Sequence, residues 1–283
     1  MPGSVFSGVF MKVTWHSFLI TTFCLFSIPI VLCVQVTVAA EQTKSQDGSK
    51  HKADALWEQA VVAKGGRERL YQVNSLLISY QETVRNFLGI VVHGGLVERL
   101  YVFPDKSWSW DDGLPPPFHL TVSMFNLERN ISCTMYAGAA SPKCIEPKDA
   151  TSFFNQGEGL ARVQYLYLLE TKWIKPAPVS MTKDSIGLKT LDVVQTQVAG
   201  RRVDYYLDHK THLPQRVITF FESGRVWETY NFSNYITING IQMPSVQKNG
   251  KINFQINPAY AESIFTHPPS IEAGPKAWQI GNR

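Results

Sequence analysis

The apolar and polar positions change period several times along the chain, and each change marks a segment. A continuous apolar run, Phe18 to Val34, lies near the N-terminus, preceded by Lys12 and His16 and followed by Val38-Ala39-Ala40. Residues 41–52 contain no apolar side chain and read as a disordered polar leader. From Ala53 the pattern is helical: Leu56, Trp57, Ala60 and Val61 share one face, and Gly65-Gly66 closes the helix. A short helical turn over Arg67 to Tyr71 follows. The period then falls to two over Leu76 to Phe87 and Gly89 to Phe103, which predicts strands, with Gly94-Gly95 as a bulge or bend. Lys106 to Trp110, Phe118 to Leu127 and Ile131 to Tyr136 continue the series, and Leu114-Pro-Pro-Pro117 interrupts it.

A second helix is predicted from a cap among Asp149, Thr151 and Ser152 to about Thr171, with a break at Gly157 and Gly159. Lys175 to Met181, with two prolines, reads as a connection. Strands follow over Leu188–Val198, Arg201–Leu207, Arg216–Phe221, Arg225–Tyr235, Ile241–Gln247 and Lys251–Ile256, separated by short turns, of which Asn249-Gly250 is a strong hairpin signal. Sequential strands with short turns make an antiparallel meander. The expected fold is α+β, mainly β: one domain over residues 53–283, a strongly twisted antiparallel sheet wrapped around helices, ending in a Pro-rich tail.

Composition adds the compartment. The 283 residues are 44% hydrophobic and 18% charged, a globular balance. A basic residue, an apolar stretch and small residues before a polar segment are the parts of a secretory signal, with cleavage expected after Ala40. Pro29 within the run suits that reading better than a smooth spanning helix, although the run is close to membrane-spanning length and an uncleaved inner-membrane anchor is the alternative. The uncharged first ten residues allow Met11 as the start. Cys24 and Cys33 fall in the signal, and Val31-Leu32 before Cys33 does not suit lipidation. That leaves Cys133 and Cys144, which can bridge a hairpin in an oxidising compartment. Losing residues 1–40 would remove Lys12 and no acid, so the net charge of +4 changes little. No block of like charge marks a nucleic-acid footprint.

Three stretches resemble the lipoprotein-localisation-factor superfamily, which includes the periplasmic lipoprotein carrier and the outer-membrane lipoprotein-sorting proteins. They are Ala60-Val-Val-Ala-Lys-Gly-Gly66 with Leu70 and Val73-Asn-Ser-Leu76; Val203-Asp-Tyr-Tyr-Leu-Asp-His-Lys-Thr-His-Leu-Pro214 with Arg216-Val217; and Tyr230-Asn-Phe-Ser-Asn-Tyr235 with Gly240-Ile-Gln-Met-Pro244. The resemblance covers most of residues 53–283 in layout and only short stretches in residues. It implies an incomplete antiparallel barrel with helices packed against its concave side, and an apolar cavity that shelters acyl chains. The prolines at 115–117 and the tail beyond Tyr260 depart from the family's simple pattern.

The residues allow such a cavity on their own terms. Tyr80, Tyr101, Phe103, Trp108, Phe125, Phe220, Tyr230 and Phe232 are spread over many strands, and either an ordinary packed core or a ligand cavity uses residues of this kind. Catalytic chemistry is not evident: the sequence holds no G-x-S-x-G, H-E-x-x-H or P-loop. Asp208, His209 and His212 are the best metal candidates, and a turn explains them equally well. Asp111-Asp-Gly113 reads as a turn rather than a calcium loop. Asn130-Ile-Ser132 and Asn231-Phe-Ser233 fit the glycosylation pattern but are read as turn and strand residues. The expectation is a non-catalytic periplasmic or secreted protein without cofactor that binds or carries a lipid, a lipoprotein or another amphiphile. It would touch membranes peripherally and meet envelope proteins as partners. The alternatives are a structural module of the envelope and, third, a hydrolase.

Overall fold

The structure, a computed structural model, describes residues 31–85, 87, 88, 90–112, 120–146, 150–186, 189–198, 200–247 and 250–281. The chain divides into Met1–Lys44 and Ser45–Arg283. Residues 1–30 of the expected signal lie outside the described residues. No described helix is long and apolar enough to cross a membrane.

The described residues form the α-helices α1 (Val31–Lys64), α2 (Arg67–Tyr71) and α3 (Ala150–Tyr167). The strands before α3 are β1 (Ser75–Arg85), β2 (Val91–Val102), β3 (Lys106–Asp111), β4 (Thr121–Asn126), β5 (Ile131–Tyr136) and β6 (Lys143–Ile145). After it come β7 (Ala177–Ile186), β8 (Lys189–Val198), β9 (Arg201–Asp208), β10 (Pro214–Phe220), β11 (Val226–Asn231), β12 (Ser233–Ile238), β13 (Ile241–Gln247) and β14 (Gly250–Ile256). They form a nine-stranded sheet, β12-β13-β14-β1-β2-β3-β4-β5-β6, and a five-stranded sheet, β11-β10-β9-β8-β7. Every pair is antiparallel and neither sheet closes on itself, so the barrel is incomplete.

One side of the nine-stranded sheet meets the helices. Ala53, Leu56, Trp57, Ala60 and Val61 of α1 recur at helical spacing and pack with Leu160, Val163 and Leu166 of α3, with Leu76, Ile78, Phe125 and Phe254 of the nine-stranded sheet, and with Val194, Tyr205 and Val217 of the five-stranded one. This is the inner face. The strand period sends the alternate residues Leu77, Leu100, Trp108, Trp110, Val122, Met124 and Cys133 outward, where Phe265 and Trp278 of the C-terminal tail cover them. The tail, with a 3₁₀ turn at Glu262–Phe265, is pinned by side chains as well as by burial. Trp278 Nε1 and the Lys276 N–H both donate to Glu98, at 3.1 and 3.0 Å, and Asn126 Nδ2 donates to the Phe265 carbonyl at 3.1 Å.

Several expectations change. Residues 41–52 belong to α1 rather than to an irregular leader. The stretch is polar, yet its Gln, Glu and Lys side chains favour helix and no proline interrupts it. Ser49 also accepts a bond from the Met181 N–H at 3.4 Å. The segment read as a connection before Met181 is the start of β7, and α3 passes Gly157 and Gly159 without a break. Pro176 and Pro178 argue against a central strand, but β7 is a sheet edge, where proline is tolerated, and its register shifts between Pro178 and Ser180. The single strand expected over Arg225–Tyr235 is two strands in different sheets, parted at the buried Phe232. Gly94-Gly95 is not the bulge of β2, which lies opposite Val84 and Arg85. Gly95 instead lets the Asp112 carbonyl approach, since a Cβ there would sit 2.0 Å from that oxygen. The Leu114–Pro117 interruption lies outside the described residues.

Candidate functional site

A cleft of about 310 Å³ opens where β1, β2, α3 and β11 converge. Its apolar wall is Ile78, Val163 and Leu166, all but Ile78 from α3. Its aromatic wall is Tyr80, Tyr101, Tyr167 and Tyr230, and its charged rim is Arg99, Arg162 and Glu228. The strand period explains the mixture. Ile78 and Tyr80 alternate inward on β1, and their register partners on β2 are Arg99 and Val97, so a guanidinium faces the same side as the core.

The charges are held in pairs. Arg99 Nη2 donates to Asp111 Oδ2 at 3.0 Å, and Arg162 Nη2 donates to Glu228. Arg162 also lies over the rings of Tyr230 and Trp227, at 5.0 and 5.7 Å from their centroids. Burial alone would weaken the Arg99 charge; the phenols of Tyr101 and Tyr80 and the Asp111 carboxylate outweigh it and hold the guanidinium firmly protonated. Burial raises the Tyr80 and Tyr167 phenols above their ordinary value, so both are neutral donors at neutral pH. Burial, then the Asp111 charge, raises Glu82 beside them. The Tyr230 hydroxyl is buried and has no hydrogen-bond partner among the described residues.

Of the eight aromatic candidates read from the sequence, the cleft brings together three: Tyr80, Tyr101 and Tyr230. Phe103, Phe125 and Phe232 belong to the closed inner core, and Phe220 is buried beneath the Arg202 guanidinium, 4.3 Å from its ring. Trp108 stands on the outer face, paired with Leu100 and Met124, and forms part of a separate cleft of about 700 Å³ within the tail. Selection by aromatic type gave Trp108 and Phe125 equal standing; the alternation of the strands puts them on opposite faces. Arg99, Arg162 and Glu228 were missed. The available signal was a charge inside an otherwise apolar alternation, as in Val97-Glu-Arg-Leu-Tyr-Val102.

No family model matches the sequence, and neither does any curated protein. Among solved structures the chain is similar to a LolA superfamily protein from Nitrosomonas europaea, at 14% identity over 76% of this chain and 97% of that one, with a TM-score of 0.45. It is also similar to a DUF1329 family protein from Desulfovibrio piger, at 12% identity over 80% and 99%, with a TM-score of 0.45. A domain from Vibrio parahaemolyticus described as an outer membrane lipoprotein-sorting protein matches at 12% identity over 70% and 92%, with a TM-score of 0.42.

The other candidates for chemistry separate into structural roles. Asp208 Oδ1 accepts the N–H groups of Lys210 and Thr211 at 3.0 and 2.9 Å and the Thr211 hydroxyl at 3.2 Å, which closes the β9–β10 turn and lowers the Asp208 pKa. His209 turns away to Asp192, 2.7 Å from its Oδ2. Cys133 and Cys144 are bonded across β5 and β6, as expected. Buried Glu170 accepts Trp57 Nε1 at 3.1 Å, Arg67 Nε at 2.5 Å and the Tyr71 hydroxyl at 3.2 Å, and Arg67 also holds Glu58, tying α1 and α2 to the chain just after α3.

Proposed function

We propose that the protein is an exported, non-catalytic binding or carrier protein for an amphiphile, a lipid or the lipid part of a lipoprotein, which it holds in the cleft between β1, β2, α3 and β11. The observation that carries the reading is the two-sided lining of that cleft, with Ile78, Val163 and Leu166 on one side and Arg99, Arg162 and the tyrosines on the other. Such a lining suits a molecule with an apolar body and a polar end. Each methylene buried there contributes about 0.8 kcal/mol. A second feature supports peripheral membrane contact. The β1–β2 hairpin exposes Phe87, Leu88, Ile90, Val91 and Val92, with Phe87 94% open to solvent. A projecting tip of this kind buries its apolar side chains at a bilayer interface. Residues 1–40 are proposed as the export signal and Ala40 as its end.

The test is mass spectrometry of molecules that co-purify from the native compartment, joined to displacement of a fluorescent fatty acid. A bound amphiphile displaced by Leu166→Trp is the expected result. Protein that carries none and ignores the probe excludes the reading.

A further inference from the structure

The cleft has an excess of hydrogen-bond donors. A guanidinium carries five N–H donors. Arg99 and Arg162 each make a single hydrogen bond among the described residues, to Asp111 and Glu228 respectively. Arg99 keeps 39% and Arg162 33% of its side-chain surface open. Tyr230 lines the same cleft, its ring centroid 5.0 Å from the Arg162 guanidinium; its side chain is only 8% exposed, and its hydroxyl has no hydrogen-bond partner among the described residues. A buried hydroxyl left unpaired is costly, so it marks a place where an acceptor belongs. Arg99, Arg162 and Tyr167 all line this one cleft. The acceptors on the rim, Asp111 and Glu228, are already engaged. Glu82 interacts with Arg99 electrostatically, but among the described residues only Asp111 and Glu228 accept from the two guanidinium groups, which leaves N–H donors over.

Resting on the amphiphile reading above, we infer that the cleft selects amphiphiles with an anionic head of several oxygens, a carboxylate or a phosphate. Arg99, Arg162 and the Tyr230 hydroxyl hold the head, and the chain lies against Ile78, Val163 and Leu166. Arginine suits such heads because its planar fork meets two oxygens at once. At about 310 Å³ the cleft holds roughly ten water-sized groups, enough for a head and a short stretch of chain.

The experiment is calorimetric titration of the purified protein with a matched series: octanoate, octyl phosphate, 1-octanol and octylammonium, with acetate and inorganic phosphate as chainless heads. Octanoate and octyl phosphate are expected to bind at least about tenfold more tightly than octanol, with octylammonium weakest. The chainless anions are expected to bind far more weakly than their octyl counterparts. Arg99→Gln should remove about tenfold, and Tyr230→Phe roughly threefold, from the anions, and distinctly less from octanol, whose uncharged head gains less from each donor. The comparison across heads uses unaltered protein, so it decides the matter even where Arg99→Gln fails to fold. Equal affinity for octanoate and octanol overturns the head assignment and leaves the amphiphile reading standing. Inorganic phosphate binding as tightly as octyl phosphate overturns the role of the chain wall. No binding by any member overturns both.

Discussion

Two neighbouring rows of residues run across β1 to β6, and they have opposite character. On the outer face the register partners are Leu77, Leu100, Trp108, Met124, Cys133 and Cys144. One residue along, on the inner face, they are Ile78, Arg99, Ser109, Ser123, Thr134 and Lys143. The outer row is apolar and, from Leu77 to Cys133, is covered by the chain's own tail, while Cys144 at the sheet edge is exposed. The inner row is apolar only where β1 meets the helices and turns polar from β2 onward. A sheet that wrapped its concave side around nothing but acyl chains would show the reverse. Along this pair of rows, then, the side facing the helices turns polar at one end, while the apolar outer row holds the tail.

That contrast predicts where mutations cost stability and where they cost binding. The largest effect belongs to the outer seal. Trp278 is 3% exposed, packs in the outer core and donates to buried Glu98. Trp278→Ala is expected to lose about 3–5 kcal/mol, because it leaves a cavity and removes a donor from a buried carboxylate. Chemical denaturation reads it directly. A loss below about 1 kcal/mol would show that the tail is an ornament on the outer face rather than its cover.

Next is a charge on the inner side. Lys64, the last residue of α1, is 1% exposed, with its ammonium 5.2 Å from the Tyr235 ring centroid, and burial pulls its pKa down to about 7. Unfolded, the group keeps its proton to about pH 10.4. Between pH 7 and that value the unfolded chain binds more protons, so stability rises with pH, by a total on the order of a few kcal/mol. Below pH 7 both states are protonated and the penalty of burying the charge is present in full. Unfolding free energies measured from pH 6 to 9 should climb in the native protein. They should lose that climb in Lys64→Met, and an unchanged slope would refute the assignment.

The third effect is at the edge of the outer row. The Cys133–Cys144 link closes a separation of 11 residues and fastens β6, the terminal strand of the sheet. Replacing both by serine should cost roughly 3 kcal/mol on chain-entropy grounds. It should leave the affinity of the cleft unchanged, because the bond belongs to the opposite face. A drop in affinity as large as the drop in stability would erase the distinction between the faces.

These features were unequally legible in the chain. The helix ends at Gly65-Gly66, the meander and the cysteine pair follow from local rules: at Gly65 φ is 137° and a Cβ would lie 2.5 Å from the Gly240 carbonyl. β7 was hidden because its prolines forbid a central strand but not an edge. The change of sheet at Phe232 was hidden because strand period continues through it, and only the pairing partners change. The cleft was half visible. Aromatic type found Tyr80, Tyr101 and Tyr230, but the meeting of Arg99 with Arg162 joins β2 to α3 across a long stretch of sequence, and no local pattern records it.

The smallest expected effect separates the faces most sharply. Tyr230 has the burial of a core residue, yet its hydroxyl has no partner among the described residues. Removing a satisfied buried hydroxyl normally destabilises a protein, whereas removing an unsatisfied one relieves a desolvation cost. Tyr230→Phe should therefore leave stability unchanged or raise it by about 1 kcal/mol, equivalent to a rise of about 2–4 °C in Tm for a domain of this size. The Arg162 guanidinium above the ring keeps its stacking partner, since phenylalanine presents the same face. Thermal unfolding of ligand-free protein checks the sign. A loss of 1 kcal/mol or more would mean that the hydroxyl serves the fold after all, and the inner face would then differ from the outer one only in polarity and not in purpose.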